Sequence, residues 1–377
     1  MLLPLYTLAL LCLLAFLHPY LLYPLTLRLM RAQPGERRDG GRPSASLLFA
    51  AYNEERVLAA KLANLDAIRA LHPDLEILAY SDASTDGTLA LLQSRPDLLR
   101  VISSPERTGK ATGMRRMVAE ARGDICIFTD ANVLLEPGSV AKLLDHFRDP
   151  AIGGVSGTLR YINEGESATA QVGGLYWRLE ERIKALESRC GSMMGADGSI
   201  FATRRILYPG IPPHLLDDMI ASISVIFNGL RLISAPDVVA YERNTTDPAD
   251  EFRRKRRIAC RAWNSHRYLW PRIWTRFSAV DRYKYVSHKL LRWFGAPVLA
   301  TAGLSLGMAL WLGGHHLALA LLMGLALACW IAGGLLKIRP FGALWEALRA
   351  IFATFLGILD AWSGESYQTW SPAKSRD

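Results

Sequence analysis

The sequence predicts an α/β domain held between membrane helices, and three observations carry that expectation. From Ser44 onward, short apolar runs alternate with segments of helical period, the pattern of strands joined by crossover helices. Long apolar stretches stand near both ends, Leu2 to Leu27 first, then Trp293 to Leu312 and His316 to Leu336. A basic run leads into the second group: Glu251 to Arg292 holds thirteen Lys/Arg against only Glu251 and Asp281. With 377 residues, 50% hydrophobic and 21% charged, at a net charge of +9, the composition excludes a disordered chain, a collagen-like repeat and a purely soluble enzyme.

Leu2 to Leu27, interrupted by His18 and Pro19, exceeds the roughly 20 residues that cross a bilayer. No basic stretch precedes it, and Arg28, Arg31, Arg37, Arg38 and Arg42 follow it, so residues 1–30 read as an uncleaved anchor with its C-terminal end in the cytoplasm. Residues 31–43 are a Gly/Pro/charge-rich linker, and residues 44–250 the α/β domain. The basic-aromatic segment 251–292 suits a helix at the headgroup level, facing anionic lipid. No nucleic-acid module accompanies it, so nucleic acid is not expected as a partner. Residues 293–336 are two spans joined by Gly313-Gly314-His315, with Lys337 and Arg339 marking the cytoplasmic side. In 337–377, the apolar core Ile351 to Leu359 is bracketed by Glu346, Arg349 and Asp360. It reads either as an interfacial or re-entrant helix or as a third crossing that puts Lys374 and Arg376 outside. The five cysteines show no Cys-x-x-Cys or metal-ligand spacing, which suits a reducing compartment.

Within the domain, strands are expected at Ala45 to Tyr52, Leu75 to Tyr80, Leu98 to Ser103 and Asp124 to Thr129. Helical spacing of Val57, Leu58, Leu62, Leu65, Ile68 and Leu71, and of Met114, Met117, Val118 and Ala121, places helices between them. Right-handed crossovers then give a mostly parallel sheet with its ligand site at the strand C-termini. Polar residues gather there: Tyr52-Asn53-Glu54-Glu55, Ser81-Asp82-Ala83-Ser84-Thr85-Asp86-Gly87-Thr88, and Thr129-Asp130-Ala131-Asn132. Each cluster alone also reads as ordinary turn and cap residues; three at consecutive strand ends point to a site. Arg107-Thr108-Gly109-Lys110-Ala111 approaches a phosphate loop but has Ser104 and Ala111 where that pattern needs Gly and Ser/Thr. No dinucleotide fingerprint is present either, which sets aside ATPase and dehydrogenase readings.

These motifs in order, with Gly-Ala-Asp-Gly-Ser-Ile-Phe-Ala-Thr-Arg-Arg and Leu-Asp-Asp further on, resemble a membrane-bound family 2 glycosyltransferase. The resemblance covers roughly Ser44 to Arg261 and implies a GT-A catalytic domain (Rossmann-like, mostly parallel), distantly similar to the cellulose and hyaluronan synthase group. It implies nucleotide-sugar binding by Ala51, Tyr52, Glu54, Asp82, Lys110, Asp130 and Arg257, and acceptor binding by Gly198 and Ser199. Asp218 is implied as the catalytic base, with Asp217 the next candidate. A divalent cation, Mg2+ or Mn2+, would sit on Asp130 and Asn132, where Asn132 replaces the second Asp of the family's Asp-x-Asp. Of the processive members' Gln-x-x-Arg-Trp, only the arginine is matched, at Arg257 in Arg254-Lys255-Arg256-Arg257-Ile258.

What the resemblance implies is an inverting hexosyltransferase acting in exopolysaccharide biosynthesis, a multi-pass protein of the cell membrane with its catalytic domain cytoplasmic. Its partners would be a nucleoside-diphosphate sugar donor (a UDP-sugar), a lipid-linked or polysaccharide acceptor, and anionic membrane lipids. The alternatives are a processive polysaccharide synthase and an inactive membrane scaffold that binds nucleotide.

Overall fold

The computed structural model describes residues 2–369 except 36, 38, 164–167 and 339. Arg38, Arg339, Lys374 and Arg376, named above as charges flanking apolar runs, lie outside the described residues. The chain opens with helix α1 (Leu2–Leu29), whose middle relaxes into a π turn at His18–Leu22. Pro19 cannot donate an amide hydrogen there, and a wide turn absorbs the missing bond.

The α/β domain follows: β1 (Ala45–Ala51), α2 (Glu55–Leu71), β2 (Glu76–Asp82), α3 (Thr88–Gln93), β3 (Arg100–Ser104), α4 (Lys110–Glu120), β4 (Ile125–Asp130), β5 (Leu134–Leu135), α5 (Ser139–His146), β6 (Ile152–Tyr161), α6 (Ala168–Arg189), β7 (Ile200–Arg204), α7 (Asp217–Phe227) and β8 (Arg231–Glu242). One sheet runs β3-β2-β1-β4-β7-β6-β8-β5. Its first four strands are parallel, as the alternation of apolar runs and helices requires. At β7 the direction reverses, antiparallel to both β4 and β6, so the sheet is mixed beyond the switch.

Every residue of β1 is buried, as expected for a central strand covered on both faces. On one face α2 packs Leu58, Leu62, Leu65 and Ile68; on the other, α4 brings Met114 and Met117, and α7 brings Ile220 and Ile223. Gly113 lets α4 come down on β2, because a Cβ there would lie 2.3 Å from the ring of Tyr80.

Helix α8 (Pro248–Arg276) begins on a well-formed cap: Asp247 accepts from the amides of Ala249 and Asp250, with Pro248 at the first helical position. Its buried face includes Ala259, Cys260, Ala262, Ser265, Leu269 and Ile273, at the 3–4 residue spacing of an amphipathic helix. Arg267, Tyr268, Arg272, Trp274 and Arg276 are exposed, whereas Trp263 turns inward onto Trp293, Phe294 and Trp362. After α9 (Ala279–Tyr285) come α10 (Gly295–Leu312), α11 (His316–Leu335) and α12 (Phe341–Trp362).

Among the described residues four helices, α1, α10, α11 and α12, are long and apolar enough to cross a membrane. The last holds the apolar core Ile351 to Leu359, expected either as an interfacial or re-entrant helix or as a third crossing; it lies along α8, and the segment after it returns to the α/β domain. The helix runs for 22 residues, and its charges are paired: Arg349 holds Glu346 at 3.0 Å, and Asp360 takes both arms of Arg256 at 2.6 Å.

Candidate active site

The sheet's parallel half delivers the ends of β1, β2 and β4 to one edge, and cross-bonds lock their loops together. Asn53, at φ +52°, accepts from the Thr85 amide at 2.8 Å and donates to the Thr85 hydroxyl at 3.1 Å. The Glu54 amide donates to the Thr88 hydroxyl at 2.8 Å, and Glu55 accepts from the Gly87 amide at 2.8 Å. Glu54 and Glu55 thus meet the second loop in different ways, one through its backbone and one through its carboxylate.

Asp82 is fully buried and organises the segment from Arg107 to Gly109. Its carboxylate accepts from the amide of Thr108 at 2.7 Å, the amide of Gly109 at 3.0 Å and Arg107 Nε at 3.2 Å. Arg107 in turn lies over the Tyr52 ring, 3.2 Å from its centroid. Ala51 is the buried last residue of β1. Gly109, at φ +86°, starts α4, and a Cβ on it would stand 2.2 Å from the carbonyl oxygen of Gln368. The segment after α12 therefore reaches the site: the Glu365 carbonyl accepts from the Asn264 side chain on α8 at 3.1 Å, and Gln368 Nε2 donates to the Thr108 carbonyl at 3.1 Å.

Lys110 extends from the first turn of α4 to Asp130 at the end of β4, Nζ to Oδ1 2.5 Å. Burial works against the ammonium, but the carboxylates of Asp130, Asp217 and Asp218 more than offset it and raise its pKa. Behind the turn after β4, Lys61 is wholly buried and donates to the Val133 carbonyl at 2.6 Å. Burial pushes that ammonium down to about 7, with Asp130 opposing. Asn132 donates to Glu242 Oε1 at 3.0 Å.

The other half of the sheet supplies the carboxylate pair. Asp217 and Asp218 occupy the first turn of α7, and the preceding loop is tied to α8 by the Leu216 amide donating to Ser265 at 2.9 Å and by Arg261 donating to the Leu215 carbonyl. Asp217 Oδ2 and Arg261 Nε are both buried without a hydrogen-bond partner. Asp218 is pushed up to about 7, chiefly by burial and then by Asp217, with Lys110 opposing. Gly198 and Ser199 form the turn that enters β7, pinned by the Thr129 hydroxyl donating to the Ser199 carbonyl at 2.8 Å. A Cβ on Gly198 would lie 3.1 Å from Asp218 Oδ2 and 3.3 Å from Lys110 Nζ.

The structure thus brings Asp82, Lys110, Asp130, Asn132, Gly198, Ser199 and the Asp217-Asp218 pair to one edge. Arg257 is half-buried on α8. One turn further along the same helix, Arg261 is buried and feels the charges of Asp217 and Asp218. Sequence reasoning did not single out Lys61, Glu242 or Arg261. For Arg261 a signal existed, since it follows the proposed motif by a single helical turn; Lys61 and Glu242 enter only through the packing of α2 and β8.

A parallel half-sheet with polar loops at its C-terminal ends, joined through an antiparallel strand to a carboxylate pair, is the GT-A fold of nucleotide-sugar transferases. The chain carries a glycosyl transferase family 2 domain: residues 46–209 match that family. Its sequence is 25% identical over 226 residues to an N-acetylglucosaminyltransferase of Rhizobium meliloti (strain 1021), covering 55% of this chain and 52% of that protein. It is 22% identical over 215 residues to an N-acetylglucosaminyltransferase of Rhizobium leguminosarum bv. viciae, covering 52% and 50%. The chain therefore spans about half the length of the curated relatives it matches. In fold it resembles the mannosyltransferase PcManGT of Pyrobaculum calidifontis, solved with GDP-Man and Mn2+, at a TM-score of 0.72 and 23% identity over 96% of this chain and 100% of that one.

Proposed function

We propose that the chain is an inverting glycosyltransferase that moves a sugar from a nucleoside-diphosphate sugar to a lipid-linked or polysaccharide acceptor at the cytoplasmic membrane face. The observation that carries this reading is the patch of bare backbone at Gly198, within reach of both the Asp218 carboxylate, whose pKa is raised, and the half-buried Lys110 ammonium. An acceptor hydroxyl seated there meets Asp218, which takes its proton as the new glycosidic bond forms. Lys110 faces the departing diphosphate. Inversion needs the base and the leaving group on opposite faces of the transferred sugar.

The residues at the end of β4 suit a hard divalent cation. Asp130 already holds a cationic group, the Lys110 ammonium. Among the described residues no three His, Cys, Asp or Glu side chains form a metal cage. Mg2+ and Mn2+ sites of this kind are completed by substrate phosphates rather than by an all-protein cage. When bound, such a cation neutralises charge on the diphosphate. Asp130 would hold it, with Asn132 beside it, while Arg107 stacked on Tyr52 closes the nucleoside side.

The relatives' name makes N-acetylglucosamine the first sugar to test, on a UDP donor; PcManGT makes GDP-Man the second. The full-length protein in detergent, given radiolabelled UDP- and GDP-sugars with a membrane lipid extract, should make a lipid- or polymer-linked product from one donor. Nucleotide binding without transfer or donor hydrolysis for any of them would favour an inactive scaffold.

A further inference from the structure

We infer that Glu242, at the end of β8, supplies the second negative charge of the cation site and that Asn132 is the group that aims it. The inference rests on the cation-assisted reading above.

The charge balance at the end of β4 motivates it. Asp130 is the carboxylate of that turn, and Lys110 lies 2.5 Å from it; Asn132 adds a carbonyl oxygen but no charge. An ammonium and a carboxylate together present almost no net field to a divalent cation. A second carboxylate does stand there, brought by a different strand. β5 pairs with β8 antiparallel, Leu134 opposite Tyr241, so the next register position sets Glu242 across from Val133, immediately after Asn132. On its other side Glu242 is opposite Tyr161 of β6, so its backbone is held between two strands.

The Glu242 side chain is 4% exposed, and its Oε1 accepts from Asn132 Nδ2 at 3.0 Å. Arg254 on α8, itself paired with Glu251 at 3.1 Å, lies close enough to feel its charge. A buried carboxylate costs stability unless it is hydrogen-bonded or paired, and an aspartate at position 132 would set a second carboxylate against it. Asn132 therefore does more than dilute the usual motif. Its amide nitrogen donates to the imported carboxylate, and its amide oxygen remains a ligand of the kind hard cations take.

The test measures Mn2+ binding to the full-length protein in detergent by electron paramagnetic resonance, with and without UDP or GDP. Glu242→Gln keeps the shape and removes the charge; it should weaken Mn2+ binding about 10- to 100-fold, the range for groups that tune a metal site. Asn132→Asp combined with Glu242→Gln returns the charge to the motif position and should restore most of the affinity. Mn2+ binding by Glu242→Gln at the wild-type level, while Asp130→Asn loses it, would overturn the role of Glu242 and leave the cation reading intact. Loss in Glu242→Gln without rescue in the double variant would also overturn it, because Glu242 would then act through the fold alone. Absence of Mn2+ binding by the wild type, with or without nucleotide, would remove the cation reading and this inference with it.

Discussion

At Asp218 the physics of one carboxyl sets the expected pH behaviour. A base, the role proposed for Asp218, must be deprotonated to act. Its pKa is held up to about 7 by burial and by Asp217, so kcat/KM should climb as pH rises towards neutrality and level off above it. Asp217→Asn removes one of the causes of elevation and should move that rise to lower pH. Removing the Lys110 charge, which opposes the elevation, should move it to higher pH. Asp218→Asn keeps the shape and removes the proton-accepting group, so turnover should fall by at least about 100-fold with donor affinity little changed. A pH profile of wild type and Asp217→Asn, with turnover of Asp218→Asn, checks all of this; an unshifted rise in Asp217→Asn would place the titrating group elsewhere. The residues legible in the sequence were those whose motif is local. Asp82, Asp130 and Lys110 each sit where a strand ends or a helix begins, positions that turn chemistry marks. What the pattern could not show was that the Asp82 carboxylate is taken up by Arg107, Thr108 and Gly109. Nor could it show Glu242, whose place depends on a register formed more than a hundred residues from Asn132.

Among the elements, a buried polar hub joins the first helix to the catalytic domain and to the approach to the C-terminal apolar helices. His288, fully buried in the π turn Val286–Leu290, has Nδ1 2.8 Å from Glu187 and Nε2 2.8 Å from Glu180, both on α6. Tyr23 of α1 donates to Glu187, and Arg292 holds Glu180 at 2.5 Å. Burial alone would raise both glutamates, but His288, and at Glu180 also Arg292, hold them below the ordinary range. The sign follows: folded-state values below the unfolded ones contribute stability at neutral pH that is lost as pH falls through the depressed values. His288→Leu strands a buried carboxylate, and thermal unfolding in detergent should show a loss of about 3 kcal/mol, the low end for a broken buried pair because Tyr23 and Arg292 remain. A change within about 0.5 kcal/mol, the ordinary surface range, would mean the hub is solvated.

The same scale accounts for the charges that bracket the apolar core Ile351 to Leu359. Charges that read as boundaries of a short apolar core are partners in the fold: Asp360 of α12 docks on Arg256 of α8, and Gly357 lets the helices touch, since a Cβ there would stand 2.2 Å from the Arg256 carbonyl oxygen. Pairing across helices is invisible to a window that slides along one of them. Gly357→Leu should separate α8 from α12 and lower stability by about 1–3 kcal/mol, as overpacking does; an unchanged unfolding temperature would show that the contact can yield.

At the scale of the whole molecule, a strongly basic chain carries apolar helices long enough to cross a membrane. The stretch Glu251 to Arg292 contributes more positive charge than the net +9 of the chain, but the fold divides it in two. Arg256, Arg261 and Arg292 are paired within the protein, with Asp360, the Leu215 carbonyl and Glu180. Arg267, Arg272 and Arg276 remain exposed on α8 with Tyr268 and Trp274 among them, and Arg272 lies 5.7 Å from the Tyr268 ring centroid. This outward set suits contact with anionic headgroups, worth about 1 kcal/mol for each charge near the surface. Replacing Arg267, Arg272 and Arg276 together with glutamine should leave the protein inserted, because the apolar helices hold it, but should weaken transfer to a lipid acceptor in anionic bilayers. Arg261→Met should differ: it removes a buried guanidinium beside Asp217 and Asp218, so it should impair turnover equally in neutral and anionic liposomes. Transfer assays in both liposome types separate the two, and a triple variant matching wild type in each would give the exposed arginines a partner other than lipid.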